Sequence, residues 1–210
     1  CYKSFGDAGY RIFSVCISFG GRSINTKSGI APFSKGIYEL KGAPDYTVID
    51  DAVRRVLDAV PEAFVFPRVN ISMPEWWERE NPDELNILPD GSTCRESLYS
   101  EKWRRDAGEM LADFIRHVNS SPYRSRIIGY QISGGYTKEW FHFDLNAGYC
   151  KTALGGFSEF LKRFYPDESY EGLPDFSLFD GGDVVTDAHL VRFIEYANFA
   201  VADDVSYLAA

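Results

Sequence analysis

Residues 126–139 read RIIGYQISGGYTKE and carry the most informative pattern of the chain. It begins as an apolar strand over 126–132, reaches the glycine pair Gly134–Gly135, and ends in a loop that carries Glu139 and Trp140. A strand that runs into a glycine turn, with a carboxylate and aromatic rings just beyond it, is typical of the way a (β/α) barrel presents its reactive groups. We therefore expect the candidate site in this loop.

The rest of the chain predicts repeated β/α units. Stretches rich in β-branched and aromatic residues predict strands over 11–19 and 63–71. Apolar residues at three- and four-residue steps predict helices over 45–59, 99–118 and 153–164, and a last helix with Thr186 as its N-cap. A long loop is expected over 72–97. Strands that alternate with helices indicate an α/β fold with a parallel sheet.

Composition limits the classes of function. The 210 residues are 45% hydrophobic and 16% aromatic, enough for the core of one domain over residues 1–210. A net charge of −9 and a pI near 4.9 argue against a nucleic-acid partner, since such partners select a basic surface. No apolar run approaches the roughly 20 residues of a membrane helix, and the first residues do not resemble a signal peptide, so no membrane partner is expected.

Cysteine and histidine usage predicts neither a metal site nor a cofactor. The four cysteines show no CxxC spacing, and the three histidines stand far apart. Cys16 falls within a predicted strand, where we expect a buried, inert thiol. We expect all four thiols to be reduced, which favours a cytoplasmic location.

The number of predicted strands is too small for a closed barrel. Three strands leave sheet edges that must be covered or paired elsewhere. We therefore expect a piece of a longer protein, with a small open α/β sheet as the alternative. Exposed sheet edges also favour self-association, so a homo-oligomer is a possible state.

The order of local motifs resembles the catalytic barrel of family 42 glycoside hydrolases, the bacterial β-galactosidases of clan A. The segments that carry the resemblance are GYRIFSV at 9–15, DYTVID at 45–50, PEWW at 74–77, NPDEL at 81–85, PDG at 89–91 and IGYQI at 128–132. Together they cover roughly residues 9–140. The resemblance implies a (β/α)8 TIM barrel, of which this chain would hold about strands two to four and their helices.

The resemblance also implies a function. It implies a retaining, β-galactosidase-like hydrolase that cleaves a terminal O-glycosidic bond of a carbohydrate substrate. In the family, an Asn-Glu pair at the end of the fourth strand supplies the general acid and base, but an ungapped comparison puts Gly134–Gly135 there. Glu139 is the nearest carboxylate that can take this role, and a partly buried carboxyl group among aromatic rings keeps its proton more readily. The nucleophile would come from the seventh strand, outside this chain.

The expected substrate-binding residues are Arg68, Asn70, Trp76, Trp77, Trp140 and His142, with Asp144 as a further candidate for sugar hydroxyls. Arg68 and Asn70 lie near the carboxyl end of a predicted strand, although Arg68 could equally form a structural ion pair. Tryptophan rings can stack on a sugar, but one of Trp76 and Trp77 is expected in the core, as is Trp103. Glu139 could also be an exposed structural residue.

Two further functions stay open. The first is a non-catalytic carbohydrate-binding or scaffolding barrel that has lost the Asn-Glu pair. The second is a complete α/β domain with a different enzymatic role.

Overall fold

The computed structural model describes residues 1–20, 35–88, 90–135, 139–140, 149–180 and 186–210. The helices in these ranges are α1 (Tyr2–Asp7), α2 (Thr47–Ala59), α3 (Glu75–Glu80), α4 (Glu101–Ser120), α5 (Lys151–Phe164) and α6 (Ala188–Ala209). The strands are β1 (Ile12–Ser18), β2 (Phe64–Asn70), β3 (Leu85–Ile87), β4 (Thr93–Glu96) and β5 (Gln131–Ser133). A parallel sheet has the order β1-β2-β5, and β3 pairs with β4 as an antiparallel hairpin. The predicted α/β class is confirmed.

The two faces of the parallel sheet differ in burial. Along β1, Phe13, Val15 and Ile17 are buried, whereas Ile12 and Cys16 are exposed. Strand β2 follows the same alternation over most of its length. Side chains of a strand point alternately to opposite faces, so one face packs in the main hydrophobic core and the other stays open over most of its length.

Helices α2 and α4 cover the buried face. The main core takes in Ile49, Val53 and Val56 of α2 together with Trp103 and Phe114 of α4. Ser100 caps α4, because its Oγ accepts a hydrogen bond from the Trp103 backbone N at 2.9 Å. The prediction that Trp103 belongs to the core is confirmed.

Helices α4 and α6 run side by side in the same direction. Tyr99, just before α4, stacks on Tyr196 early in α6 with ring centroids 5.2 Å apart. One turn into α4, Arg104 pairs with Asp203, and Gly108 faces the Tyr207 ring further along α6. Parallel neighbouring helices are the arrangement that consecutive β/α units produce.

A second hydrophobic cluster joins α5 to α6. Its buried aromatic side chains are Phe157, Phe160, Phe176, Phe193 and Tyr196. It lies outside the main core, and its residues belong to α6 and to the segment between β5 and α6. None of the helices in the described ranges is both long enough and apolar enough to span a membrane.

Several sequence predictions need correction. The strand predicted over 126–132 is shorter, because Arg124–Arg126 form a 3-10 turn and Gly129 has a φ of +152° between the Val65–Ile127 bridge and β5. Asp187 caps α6 instead of Thr186, since its Oδ1 accepts from the Leu190 backbone N at 2.8 Å.

Cys16 is exposed, contrary to the expected buried thiol, because it lies on the open face of the sheet. All four cysteines are free. The predicted loop over 72–97 holds α3 and the β3–β4 hairpin, elements too short to give a periodic signal.

Candidate functional site at the carboxyl edge of the sheet

The carboxyl ends of the three parallel strands carry a row of buried polar side chains. Ser18, Asn70 and Ser133 are register partners across β1, β2 and β5. The Ser18 hydroxyl donates to the Gly20 carbonyl, and the Ser133 hydroxyl donates to the Val69 carbonyl at 3.2 Å. These bonds fix the backbone where each strand ends, which is the edge that carries function in barrels of this kind.

Asn70 has an unused donor at this edge. Its Oδ1 accepts a hydrogen bond from the Ser72 backbone N at 2.9 Å, whereas its buried Nδ2 has no hydrogen-bond partner within the described ranges. A buried amide donor costs free energy until it finds an acceptor. Asn70 can therefore donate to a ligand oxygen that enters the edge.

The next row inward is Cys16, Arg68 and Gln131. Arg68 is half-buried and lies on the same open face as Asn70, one pleat before the end of β2. The register thus brings the two sequence-predicted residues Arg68 and Asn70 to adjacent rows of one face.

A buried ionic cluster connects the segment after β2 to β4. The Arg95 guanidinium lies 3.0 Å from a Glu78 carboxylate oxygen and 3.1 Å from Glu96 Oε2, and its Nη2 donates to the Met73 carbonyl at 3.1 Å. Burial alone would lower the pKa of Arg95, but the charges of Glu96 and Glu78 outweigh it and raise that pKa above its usual value. Sequence reasoning missed this cluster, because the three residues are spread over α3 and β4 with no pattern to join them.

Trp140 is hydrogen-bonded to the end of β5. Its backbone N donates to the Gly134 carbonyl at 2.9 Å, and its indole Nε1 donates to the Ile132 carbonyl at 3.1 Å. A Cβ at Gly134 would lie 3.1 Å from the indole ring, so this close approach suits glycine. The two bonds anchor the neighbouring Glu139 at the carboxyl edge, where it is exposed and not partly buried as the sequence had suggested.

The two tryptophans of α3 have different positions. Trp77 is 2% exposed, donates from Nε1 to Asp106 at 2.8 Å and belongs to the main core, so its ring has no face for a sugar. Trp76 is half-buried, and its Nε1 donates to the Tyr38 carbonyl at 2.8 Å. The expectation that one of the pair is a core residue is confirmed, and Trp77 is removed from the substrate-binding set.

Two predicted site residues, His142 and Asp144, lie outside the described residues. Across the described ranges, no group of three histidine, cysteine, aspartate or glutamate side chains is arranged to hold a metal ion.

Comparison with solved structures shows the same fold in larger proteins. The β-galactosidase from Bacillus circulans sp. alkalophilus superposes on 99% of the chain with a TM-score of 0.63 and 13% identity. The β-galactosidase from the psychrophilic Marinomonas ef1 gives a TM-score of 0.62 at 15% identity over 99%. A catalytic mutant of Gan42B, a GH42 β-galactosidase from G. stearothermophilus, gives 0.62 at 10% identity over 98%.

The fold is that of part of a GH42 β-galactosidase. The chain spans about a third of the length of these structures, namely 31%, 32% and 30% respectively. No protein-family model matches the sequence, and no curated protein matches it by sequence. The GH42-like fold predicted from the order of motifs is confirmed, and it is a divergent and partial version.

Within this GH42-like fold, the structure brings Arg68, Asn70, Trp140 and Glu139 to the carboxyl side of one three-stranded sheet. Trp76 lies beyond them on α3. The arrangement offers a buried amide donor, a guanidinium and a carboxylate next to an aromatic ring, which are groups suited to bind hydroxyl-rich ligands.

Proposed function

We propose that this chain belongs to a retaining glycoside hydrolase whose reaction takes place at the carboxyl edge of the β1-β2-β5 sheet. The whole protein would cleave a terminal O-glycosidic bond, with a galactoside as the first substrate to test. The observation that carries the proposal is the double anchoring of Trp140 to the end of β5, which holds Glu139 at that edge. The GH42-like fold over nearly the whole chain supports it.

We assign β1, β2 and β5 to the second, third and fourth strands of the barrel. Glu139 then follows the fourth strand and acts as the general acid and base. A retaining mechanism needs a second carboxyl group about 5–5.5 Å away, which attacks the anomeric carbon. That nucleophile would come from a later strand, outside this chain.

The remaining residues of the edge would hold the sugar. Asn70 would donate from its unused Nδ2 to a ring hydroxyl, and Arg68 would orient the substrate from the row below. Trp76 and Trp140 would offer partly exposed rings to the apolar face of the sugar. His142 completes the proposed set.

A specific observation favours a second candidate, a carbohydrate-binding barrel without catalysis. Gly134–Gly135 stand where the resemblance implies Asn-Glu, and the Trp140 ring lies so close to Gly134 that a larger side chain there would have to displace it. If Glu139 does not replace the missing glutamate, the edge keeps its sugar-binding groups and loses its acid.

Kinetics with two leaving groups would distinguish the candidates. Nitrophenyl and dinitrophenyl β-galactosides would be given to this chain and to a version extended through the rest of its gene. Turnover is expected only in the extended protein. Glu139→Gln should lower kcat for the nitrophenyl substrate by about 10²–10⁴-fold, because general acid–base catalysis typically accelerates a reaction by that factor. The loss should be smaller for the dinitrophenyl substrate, whose leaving group needs no proton.

The matched control is Glu62→Gln, an exposed glutamate just before β2, at the opposite end of the strands. It should leave turnover unchanged. Full activity in Glu139→Gln would assign the acid to another residue. Sugar binding without turnover in the extended wild type would establish the non-catalytic barrel.

A further inference from the structure

A cleft of about 550 Å³ lies between α4, α5 and α6, and it is not lined by any of the described residues proposed to hold the sugar. Its walls combine aromatic rings with charged groups. Of the described side chains that line it, five carry carboxyl groups and three are cationic. The carboxyl groups belong to Glu84, Glu101, Glu159, Asp203 and Asp204.

Asp204 is the feature of the cleft that packing does not explain. It is 4% exposed, and within the described ranges its Oδ2 has no hydrogen-bond partner. The nearest cation, Arg104, lies 3.7 Å from the other oxygen and is closer to Asp203. A buried carboxyl oxygen without a donor is costly, so a donor supplied from outside would stabilise it.

The cations in the cleft are already engaged within the chain. Arg104 pairs with Asp203 and lies over the Tyr207 ring. Lys102 pairs with Asp106 at 2.5 Å, and Arg163 lies over the Phe164 ring, 4.8 Å from its centroid. An additional cation can therefore bind to the carboxyl groups of the cleft.

Two adjacent glycines of α5 line the cleft, although glycine weakens a helix interior. Gly156 has a packing reason, because a Cβ there would lie 1.9 Å from the Tyr196 hydroxyl oxygen. Gly155 has none, since within the described ranges nothing lies within 4 Å of the Cβ it lacks. Its missing side chain leaves the cleft open.

We propose that this cleft binds a small organic ammonium ion with an apolar or aromatic substituent. The ammonium group donates to Asp204 Oδ2 in the cleft that Glu101 also lines, and the substituent packs toward Phe160. The carboxylates supply the charge that an ammonium ion needs, and the aromatic wall supplies the apolar contact. This site is independent of the proposed glycosidase function.

Binding should be coupled to proton release. Burial raises the pKa of Asp204 to about 8, so at neutral pH the free protein holds a largely protonated Asp204. An ammonium ion favours the ionised form and expels the proton. The other charged groups facing the cleft are Glu84 just before β3, Glu101, Lys102 and Arg104 on α4, Glu159 and Arg163 on α5, and Asp203 on α6.

Isothermal titration calorimetry with benzylammonium chloride at neutral pH tests the proposal, with benzyl alcohol as the uncharged control ligand. We expect saturable binding of benzylammonium and at least about tenfold weaker binding of the alcohol. A hydrogen bond that involves a charged group contributes enough binding free energy to account for that difference in affinity. The binding heat should differ between two buffers of unlike ionisation enthalpy, which reports the released proton.

Three variants complete the experiment. Asp204→Asn should weaken benzylammonium binding by at least about tenfold and remove the proton release. Gly155→Leu should weaken it by filling the cleft from an open helix position. Asp113→Asn, on α4 but not lining the cleft, should change neither quantity. The proposal is overturned by absence of saturable binding, by equal binding of the alcohol, or by binding that survives both Asp204→Asn and Gly155→Leu.

Discussion

Among single residues, Arg95 has the most demanding role at the carboxyl edge. It is 6% exposed, has a φ of +32° and lies between the carboxylates of Glu78 and Glu96. Because the Arg95 guanidinium contacts two buried carboxylates, its positive charge offsets part of the cost of burying them. It also connects the loop after β2 to β4 through the Met73 carbonyl.

Arg95→Met should therefore destabilise the chain strongly. The substitution removes the guanidinium that contacts both buried carboxylates, which costs about 3–5 kcal/mol of unfolding free energy. Urea denaturation followed by circular dichroism measures it. The control is Arg79→Met. Arg79 is exposed, and its Nη1 lies 4.0 Å from Glu75 Oε2, so the unfolding free energy should change by no more than about 0.5 kcal/mol. Equal effects of the two substitutions would contradict the assigned role of Arg95.

At the level of elements, α5 shows how neighbouring positions of one helix differ. Helix α5 packs on α6 through Phe157 and Phe160, with Tyr196 of α6 reaching the α5 backbone at Gly156. Among the described residues, none has an atom within 4 Å of the Cβ position of the adjacent Gly155. Two identical residues thus experience opposite constraints, which sequence periodicity does not distinguish.

Alanine at each glycine should change stability in opposite directions. Gly155→Ala should raise the unfolding free energy by about 0.5–1 kcal/mol, because alanine is the better helix former. Gly156→Ala should lower it, since the new methyl group meets the Tyr196 hydroxyl. Thermal denaturation of the two variants beside wild type provides the measurement. A gain in stability at both positions would show that Tyr196 can move aside at no cost.

At the scale of the whole molecule, the open face of the parallel sheet is the main feature without a packing partner in the described ranges. It presents exposed Ile12, Cys16 and Phe64. Exposed apolar surface of this kind marks an interaction site or a tendency to self-associate. The solved β-galactosidases are about three times longer than this chain, and we propose that further barrel strands cover this face.

Thiol labelling should test that coverage. In this chain alone, Cys16 should react quickly with a maleimide, because it is exposed on the open face. Cys150 is 1% exposed and should react slowly. In a version extended through the rest of the gene, Cys16 should become protected, while the exposed Cys1 still reacts. Mass spectrometry of labelled peptides gives the result, and a Cys16 that labels equally fast in both proteins would contradict closure over this face.

Local patterns in the sequence are enough to predict the alternation of strands and helices. The apolar spacing of α2 and α4 and the β-branched content of β1 and β2 are local signals, and both sets of elements lie within two residues of their predicted bounds. The order of short motifs also determined the GH42-like fold, because that order follows the succession of β/α units. The positions of Arg68 and Asn70 near the carboxyl end of β2 were predictable too, since the end of a strand is visible in sequence.

Which side chains are buried, and which residues they contact, follows from the packing of the elements in three dimensions. Trp77 is buried where Trp76 is not. Among the residues that the structure describes, nothing covers the face that carries Cys16, and one oxygen of the buried Asp204 has no donor. The Glu78–Arg95–Glu96 cluster likewise depends on the approach of α3 to β4. Each of these properties depends on which elements pack together and how closely. Such contacts join residues distant in the chain, and local periodicity carries no information about them.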